Sequence, residues 1–336
     1  MSSSDFHPPK GRIGGSTGDS MDDQIDELRT LEIGDVPLQP TPEDGSQTQS
    51  QTQSQTRFQT QSHSRARRVS LWFYPATYLL MGINITVFAV MFFYGPLPSL
   101  IQHHDWSGLL TAPYNGLTLE RFGGTSSYLI QQGQWWRLVT GTFVHVTVLH
   151  IALNMWCLWN LGLFGEPLLG KRGLVAVYLL TGATGMLFSY AWSVLTGQGV
   201  LVVGASGAVF GIAGTLIVLL SNRRLAVPWE DLRSLRRQVI FFAAANLVLG
   251  MTPQVLGMAS RSQLRLLHLD FGMLPRIDNT AHLGGFVCGL LLGLPLFQHM
   301  TAGRERYRAR QRVTFGFATL LLCLFAYALS KFSQGR

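Results

Sequence analysis

Apolar and polar positions divide the chain into two regimes. From residue 1 to about 68 apolar residues are sparse and follow no period, and a QTQSQTQSQT tract runs from Gln47 to Thr56. Such a stretch cannot bury enough apolar surface to offset chain entropy, so 1–68 is expected to be a disordered cytosolic tail. It shows no charged n-region leading into an apolar h-region, so no cleavable signal peptide is expected. Beyond it, long apolar runs alternate with polar breaks. A helix needs about 20 residues to cross a bilayer. Runs on that scale lie near 74–94, 145–163, 173–194, 204–221, 238–256, 281–298 and 313–330. The pattern predicts an all-α, polytopic membrane protein, and the frequent glycines inside the runs suit helices that approach closely in lipid.

Composition sharpens this picture. The 336 residues are 47% hydrophobic and only 13% charged, against about 25% charged in a soluble domain. More than half of the acidic residues fall in the tail, leaving the rest nearly free of charge over long stretches. The net charge of +8 does not signal nucleic acid, because the arginines form no basic face with interleaved aromatics. They cluster between apolar runs. Arg65, Arg67 and Arg68 precede the first run, and Lys171 and Arg172 follow the second. Arg223, Arg224, Arg233, Arg236 and Arg237, then Arg304 to Arg312, fall on the same side. The alternate loops carry fewer, with Arg121, Arg137, Arg261, Arg265 and Arg276. By the positive-inside rule the N-terminus is cytosolic. The long first outer loop, 95–144, carries Trp106, Trp135 and Trp136, a set suited to the headgroup layer. Cys157, Cys288 and Cys323 all lie in apolar runs, so neither a disulfide framework nor a metal-ligand spacing is expected.

Polar groups within spanning runs are costly and ask for a reason. His150 and Asn154 lie in the second run, Ser206 in the fourth and His282 in the sixth. Topology makes these three runs parallel, and each residue falls within the first turns. All four therefore share a depth a little below the outer surface. Ser206 sits in Gly204-Ala205-Ser206-Gly207 at a helix start, where unsatisfied N–H groups can bind an oxyanion. Small residues Gly207 and Gly211 face a partner stripe of Ala281, Gly285, Gly289 and Gly293, a pairing that would bring His282 within reach of Ser206. His150 and Asn154, at i and i+4, share one helix face and could donate to the same oxyanion. Asp270 and Asp278 belong to the outer loop and Glu166 to the cytosolic end of the second run, so a Ser–His dyad is expected rather than a triad. Phe210, one turn below Ser206, could pack against the imidazole.

These residues resemble the rhomboid proteases. The resemblance rests on His145-x4-His150-x3-Asn154, on Gly204-Ala205-Ser206-Gly207-Ala208-Val209-Phe210-Gly211, on Ala281-His282-Leu283-Gly284-Gly285-x3-Gly289, and on Trp136-Arg137. It spans about residues 74–298. It implies a six-helix catalytic core over 69–298, a basic cytosolic loop over 299–312 and an extra C-terminal helix within 313–336. It further implies a serine endopeptidase that cuts a single-span membrane protein in or beside its transmembrane segment. Ser206 would attack, His282 would carry the proton, and His150, Asn154 and the Ser206 amide would hold the oxyanion. His145 matches a structural position ordering water or a loop, and Trp136 and Arg137 match loop anchors. Phe210 replaces the tyrosine of some members.

Three other readings make distinct demands on the sequence. An inactive rhomboid-like protein that binds membrane clients would lack the serine or the histidine. A transporter would show internal repeats and ionisable groups at several depths. A metalloprotease using His145, His150 and His282 finds no carboxylate at matching depth for its base. Neither metal nor cofactor is expected. The membrane is the bacterial plasma membrane or one of the eukaryotic secretory pathway.

Overall fold

The computed structural model describes residues 74–95, 114–199, 201–225, 229–258 and 278–334. The tail 1–68, Trp106, Asp270, Arg261, Arg265 and Arg276 lie outside the described residues.

A largely apolar run of 20 residues opened by a proline forms α1 (Pro75–Tyr94). Proline suits a helix start because its missing N–H would find no partner there. The next donors find Glu166, whose buried carboxylate accepts the Ala76 N–H at 2.9 Å and both the N–H and hydroxyl of Thr77 at 2.8 Å. A carboxylate at the positive end of a helix is favoured electrostatically. This cap fixes α1 against the second run.

The first loop contains α2 (Gly116–Arg121), β1 (Thr125–Ser126), α3 (Ser127–Gln131), α4 (Arg137–Thr140) and a 3-10 turn, Gly141–Phe143. The second and third apolar runs follow as one trace, α5 (Val148–Thr196), broken at Gly170 with φ 71° and ψ 161°. Glycine tolerates that conformation without steric cost, and Pro167 weakens the preceding turn by withholding an N–H. The break yields spans 148–169 and 171–196.

Next come β2 (Leu201–Val202), α6 (Ser206–Leu219), α7 (Trp229–Met258), α8 (Asn279–Phe297) and α9 (Arg304–Gln334). β1 and β2 pair antiparallel, Thr125 opposite Val202 and Ser126 opposite Leu201. Two-residue strands are too short to leave a period-2 signal, so hydrophobic patterning does not reveal them. Two elements also begin earlier than their apolar runs. The α7 helix starts at Trp229 and α9 at Arg304, so much of the basic stretch 299–312 is helix rather than loop. Arginine and glutamate are good helix formers even outside the apolar span.

The α6 helix is the axis of the bundle, with every residue from Gly207 to Leu216 buried. It is 14 residues long, about 21 Å at 1.5 Å per residue. The α8 helix runs parallel to it in glycine register. A Cβ on Gly285 would enter the Gly207 carbonyl, one on Gly289 would enter the Gly211 carbonyl, and Gly293 faces Val218. The second span of α5 packs antiparallel on another side, with Gly182 over Ala208 and Gly185 over Gly207. Lipid offers little hydrophobic drive for helices to associate, so close van der Waals contact and interhelical hydrogen bonds hold them. Thr215 supplies one, its hydroxyl lying 3.0 Å from the Gly211 carbonyl and 2.9 Å from that of Gly289. Such bonds contribute about 0.6 kcal/mol each in membranes. The α9 helix is peripheral and exposes Phe317, Leu320, Leu321, Leu324 and Phe325.

Candidate active site

Ser206 is the first residue of α6, and the segment before it is held from three sides. The β1–β2 pair ties Leu201 and Val202 to the first loop. The Gly204 N–H donates to the Gly141 carbonyl at 2.9 Å, and the Ala205 N–H donates to His145 Nε2 at 3.4 Å. Gly204 takes φ +124°, a region costly for any residue with a Cβ. No side chain caps the start of α6, so its first-turn N–H groups, that of Ser206 included, have no intrahelical acceptor.

His282 lies one turn into α8. Asp278 caps that helix, its Oδ1 accepting the Thr280 N–H at 2.9 Å and the Ala281 N–H at 3.2 Å, while Oδ2 accepts the Ser189 hydroxyl. An aspartate is among the strongest N-caps. The cap sets the first turn of α8, and the glycine register sets its height against α6. The result is a 2.7 Å contact between His282 Nε2 and Ser206 Oγ. Phe210 stacks on the imidazole, centroids 4.5 Å apart and planes at 19°. His282 Nδ1 is buried and has no hydrogen-bond partner among the described residues. The carboxylate of Asp278 is committed to its cap. The pair therefore stands without a third, acidic member among the described residues.

The α5 helix brings the remaining polar groups. Thr147 caps it, accepting the His150 N–H at 3.0 Å. His150 Nδ1 accepts the Val146 N–H at 3.4 Å, which assigns the ring proton of the neutral imidazole to Nε2. That donor faces the segment before Ser206. A Cβ placed on Gly204 would lie 3.0 Å from His150 Nε2 and 3.9 Å from Ser206 Oγ, so imidazole and hydroxyl flank one glycine. His145 is fully buried, with its Nδ1 3.3 Å from the Phe143 carbonyl and its ring 5.1 Å from that of His150. Asn154 is buried too, but one amide N–H donates to the His150 carbonyl at 3.0 Å, and among the described residues no hydrogen bond joins it to Ser206 or His282. The amide carries a second N–H that this bond leaves unused.

Arg137 is buried in the first loop. Its guanidinium donates to the carbonyls of Glu120 at 2.6 Å and Gly124 at 2.9 Å and to Gln134 Oε1 at 2.7 Å. Its Cζ lies 4.5 Å from the ring centroid of Trp136, which is half exposed. Thr125 donates to the Arg137 carbonyl at 2.7 Å, so this knot connects to β1 and, through β2, to Ser206.

The fold and this site define a multi-pass helical membrane protein in which a serine and a histidine from separate helices of the bundle are in hydrogen-bond contact. Residues 132–299 match the Rhomboid domain family. That match spans half of the chain, and the protein belongs to the rhomboid family. It is 33% identical over 186 residues to Rhomboid protease GluP of Bacillus subtilis (strain 168), covering 54% of this chain and 31% of that one. It is 32% identical over 180 residues to RHOMBOID-like protein 5 of Arabidopsis thaliana, covering 53% and 50%. Rhomboid-like protease 2 of Toxoplasma gondii is 26% identical over 217 residues, covering 64% and 67%. The chain thus spans about a third of the first relative's length and half of the second's.

Several supporting residues escaped sequence reasoning. Gly141, Thr215 and Ser189 act through backbone approach or long-range hydrogen bonds, which leave no local pattern. Asp278 did have a signal: an aspartate three residues before the apolar face of α8 reads as an N-cap.

Proposed function

We propose that this protein is an intramembrane serine endopeptidase that cleaves a membrane-anchored, single-span protein in or next to its transmembrane segment. The observation that carries the reading is the 2.7 Å contact between Ser206 Oγ and His282 Nε2. The related proteins named as proteases support the reaction class.

In this reading Ser206 Oγ attacks the scissile carbonyl carbon while His282 Nε2 takes the hydroxyl proton. Negative charge moves to the carbonyl oxygen, where the Ser206 N–H, His150 Nε2–H and the free Asn154 N–H are the donors. Collapse breaks the C–N bond, and the imidazolium returns its proton to the leaving amine. Water then attacks the acyl ester, giving its proton to His282, and Ser206 recovers its hydroxyl as the acid product leaves. The face of Phe210 stabilises the imidazolium, since an aromatic ring presents negative charge to a stacked cation. The glycine register sets distance, and Asp278 and Arg137 support the two helix starts.

The arginine distribution supports a cytosolic N-terminus and an outer-leaflet position for Ser206 by the positive-inside rule, in a bacterial plasma membrane or a secretory-pathway membrane. The test is cleavage of a single-span substrate by the full chain in liposomes. Ser206→Ala and His282→Ala should each abolish turnover while leaving the melting temperature unchanged. Undiminished turnover in either variant would refute the dyad, and absence of turnover in the parent would favour the second reading, a proteolytically silent protein that binds membrane clients.

A further inference from the structure

At the end of α6 opposite Ser206 the bundle opens a cavity of about 360 Å³, lined by Ser221, Asn222, Arg223, Arg224, Phe297 and Gln298. Its chemistry is one-sided. Two arginines and two carboxamide residues line it, and no acidic residue does. The Asn222 amide is spent on structure, donating to the Phe297 carbonyl at 2.8 Å and accepting the Arg224 N–H at 3.0 Å. That fixes the floor where α6 and α8 end.

A third cation converges on the same corner from α7. Arg236 donates to the Ser221 hydroxyl at 2.9 Å, and its Nε is buried with no hydrogen-bond partner among the described residues. Trp229 gathers two of the charges, with Arg223 4.5 Å and Arg236 5.7 Å from its ring centroid. Arg310 adds positive potential nearby, donating to the Pro295 carbonyl at 3.4 Å. The acidic groups on the adjoining turn, Glu230 and Asp231, occupy the start of α7, where the helix dipole favours them. Like charges held together at a membrane boundary repel, and a buried guanidinium donor without an acceptor is costly. One anion with several acceptor oxygens answers both, and arginine forks match the geometry of a phosphate.

We propose that this cavity binds a phosphate group, held by Arg223, Arg224 and Arg236 around Ser221 and Gln298. Its two sources are the headgroup of an anionic phospholipid and free phosphate. Occupancy would clamp the ends of α6, α7 and α8 at a point roughly 21 Å along the axis from Ser206, independently of whether the protein is a protease.

The experiment titrates the full chain in neutral alkyl maltoside micelles and follows thermal unfolding. Phosphatidylglycerol, inorganic phosphate and uncharged diacylglycerol are added in separate arms. Phosphatidylglycerol should raise the melting temperature, and the double variant R223Q/R224Q should weaken its apparent affinity about tenfold or more. Gln298→Glu, which leaves the arginines in place but adds a negative charge at the rim, should weaken it likewise. R308Q/R312Q removes the same net charge from exposed positions on α9 and should stay within about twofold of the parent. If inorganic phosphate alone gives the arginine-dependent shift, free phosphate is the source and the site stands. Equal affinity in the cavity and control variants, or an equal response to diacylglycerol, overturns the proposal.

Discussion

Gly285→Ala isolates the geometric argument from the chemical one, because it touches neither Ser206 nor His282. A methyl group at Gly285 would lie 2.8 Å from the Gly207 carbonyl carbon and 3.1 Å from its Cα. Carbon contacts settle near 3.5–4.0 Å, so α8 must retreat by roughly 1 Å. The neighbour is backbone and cannot swing aside. His282 rides on α8 one turn from Gly285, and its 2.7 Å contact with Ser206 would open to about 3.7 Å, beyond hydrogen-bond range. A misplacement of this size costs about 10²-fold in kcat, near 2.7 kcal/mol of activation free energy. Overpacking itself costs about 1–3 kcal/mol of stability. The assay is kcat on a single-span substrate in liposomes, with thermal unfolding measured in parallel. Gly316→Ala on α9, which has open space around its Cβ position, is the control and should change neither. Full kcat in a folded Gly285→Ala protein would refute the claim that the glycine register sets the serine–histidine distance.

Gly204→Ala should lower kcat by about 10²–10³-fold with a smaller change in KM, since the added Cβ at φ +124° would strike His150 Cε1 at 2.8 Å and displace the imidazole proposed as an oxyanion donor. A parallel fall in affinity for a substrate analogue would instead point to damaged binding. Arg137→Lys should lower stability by about 2–3 kcal/mol in denaturant titration, because an ammonium cannot reproduce the forked bonds to Glu120, Gly124 and Gln134.

How much of this was legible beforehand depends on the kind of signal. The helices α1, α5, α8 and α9 were readable because lipid demands long apolar runs, and they alone among the described residues are long and apolar enough to cross a membrane, whereas the run at 204–221 yields a helix of only 14 residues. The break at Gly170 divides α5 much where the charges of Lys171 and Arg172 had suggested. The depth argument brought Ser206, His282, His150 and Asn154 to similar levels, but depth alone could not say which side chains touch. The 2.7 Å contact depends on Asp278 and on backbone-to-backbone approach at Gly207 and Gly285, which only coordinates supply. Asn154 shows the limit of a shared-face argument. It lies one turn beyond His150 as the i, i+4 spacing requires, yet one of its donors is taken by its own helix. The β1–β2 pair and the early starts of α7 and α9 were invisible for another reason: hydrophobic periodicity reports burial, and these segments are too short or too polar to carry it.

The central claim is that Ser206 is a nucleophile activated by His282, and covalent labelling tests it without any choice of substrate. A fluorophosphonate probe, which reacts with activated serines, should modify the full-length protein in micelles at Ser206 alone, as read by peptide mass spectrometry. Labelling should vanish in Ser206→Ala and fall by about 10³-fold or more in His282→Ala. Labelling at an undiminished rate in His282→Ala, or modification of a different serine in the parent protein, would contradict the account.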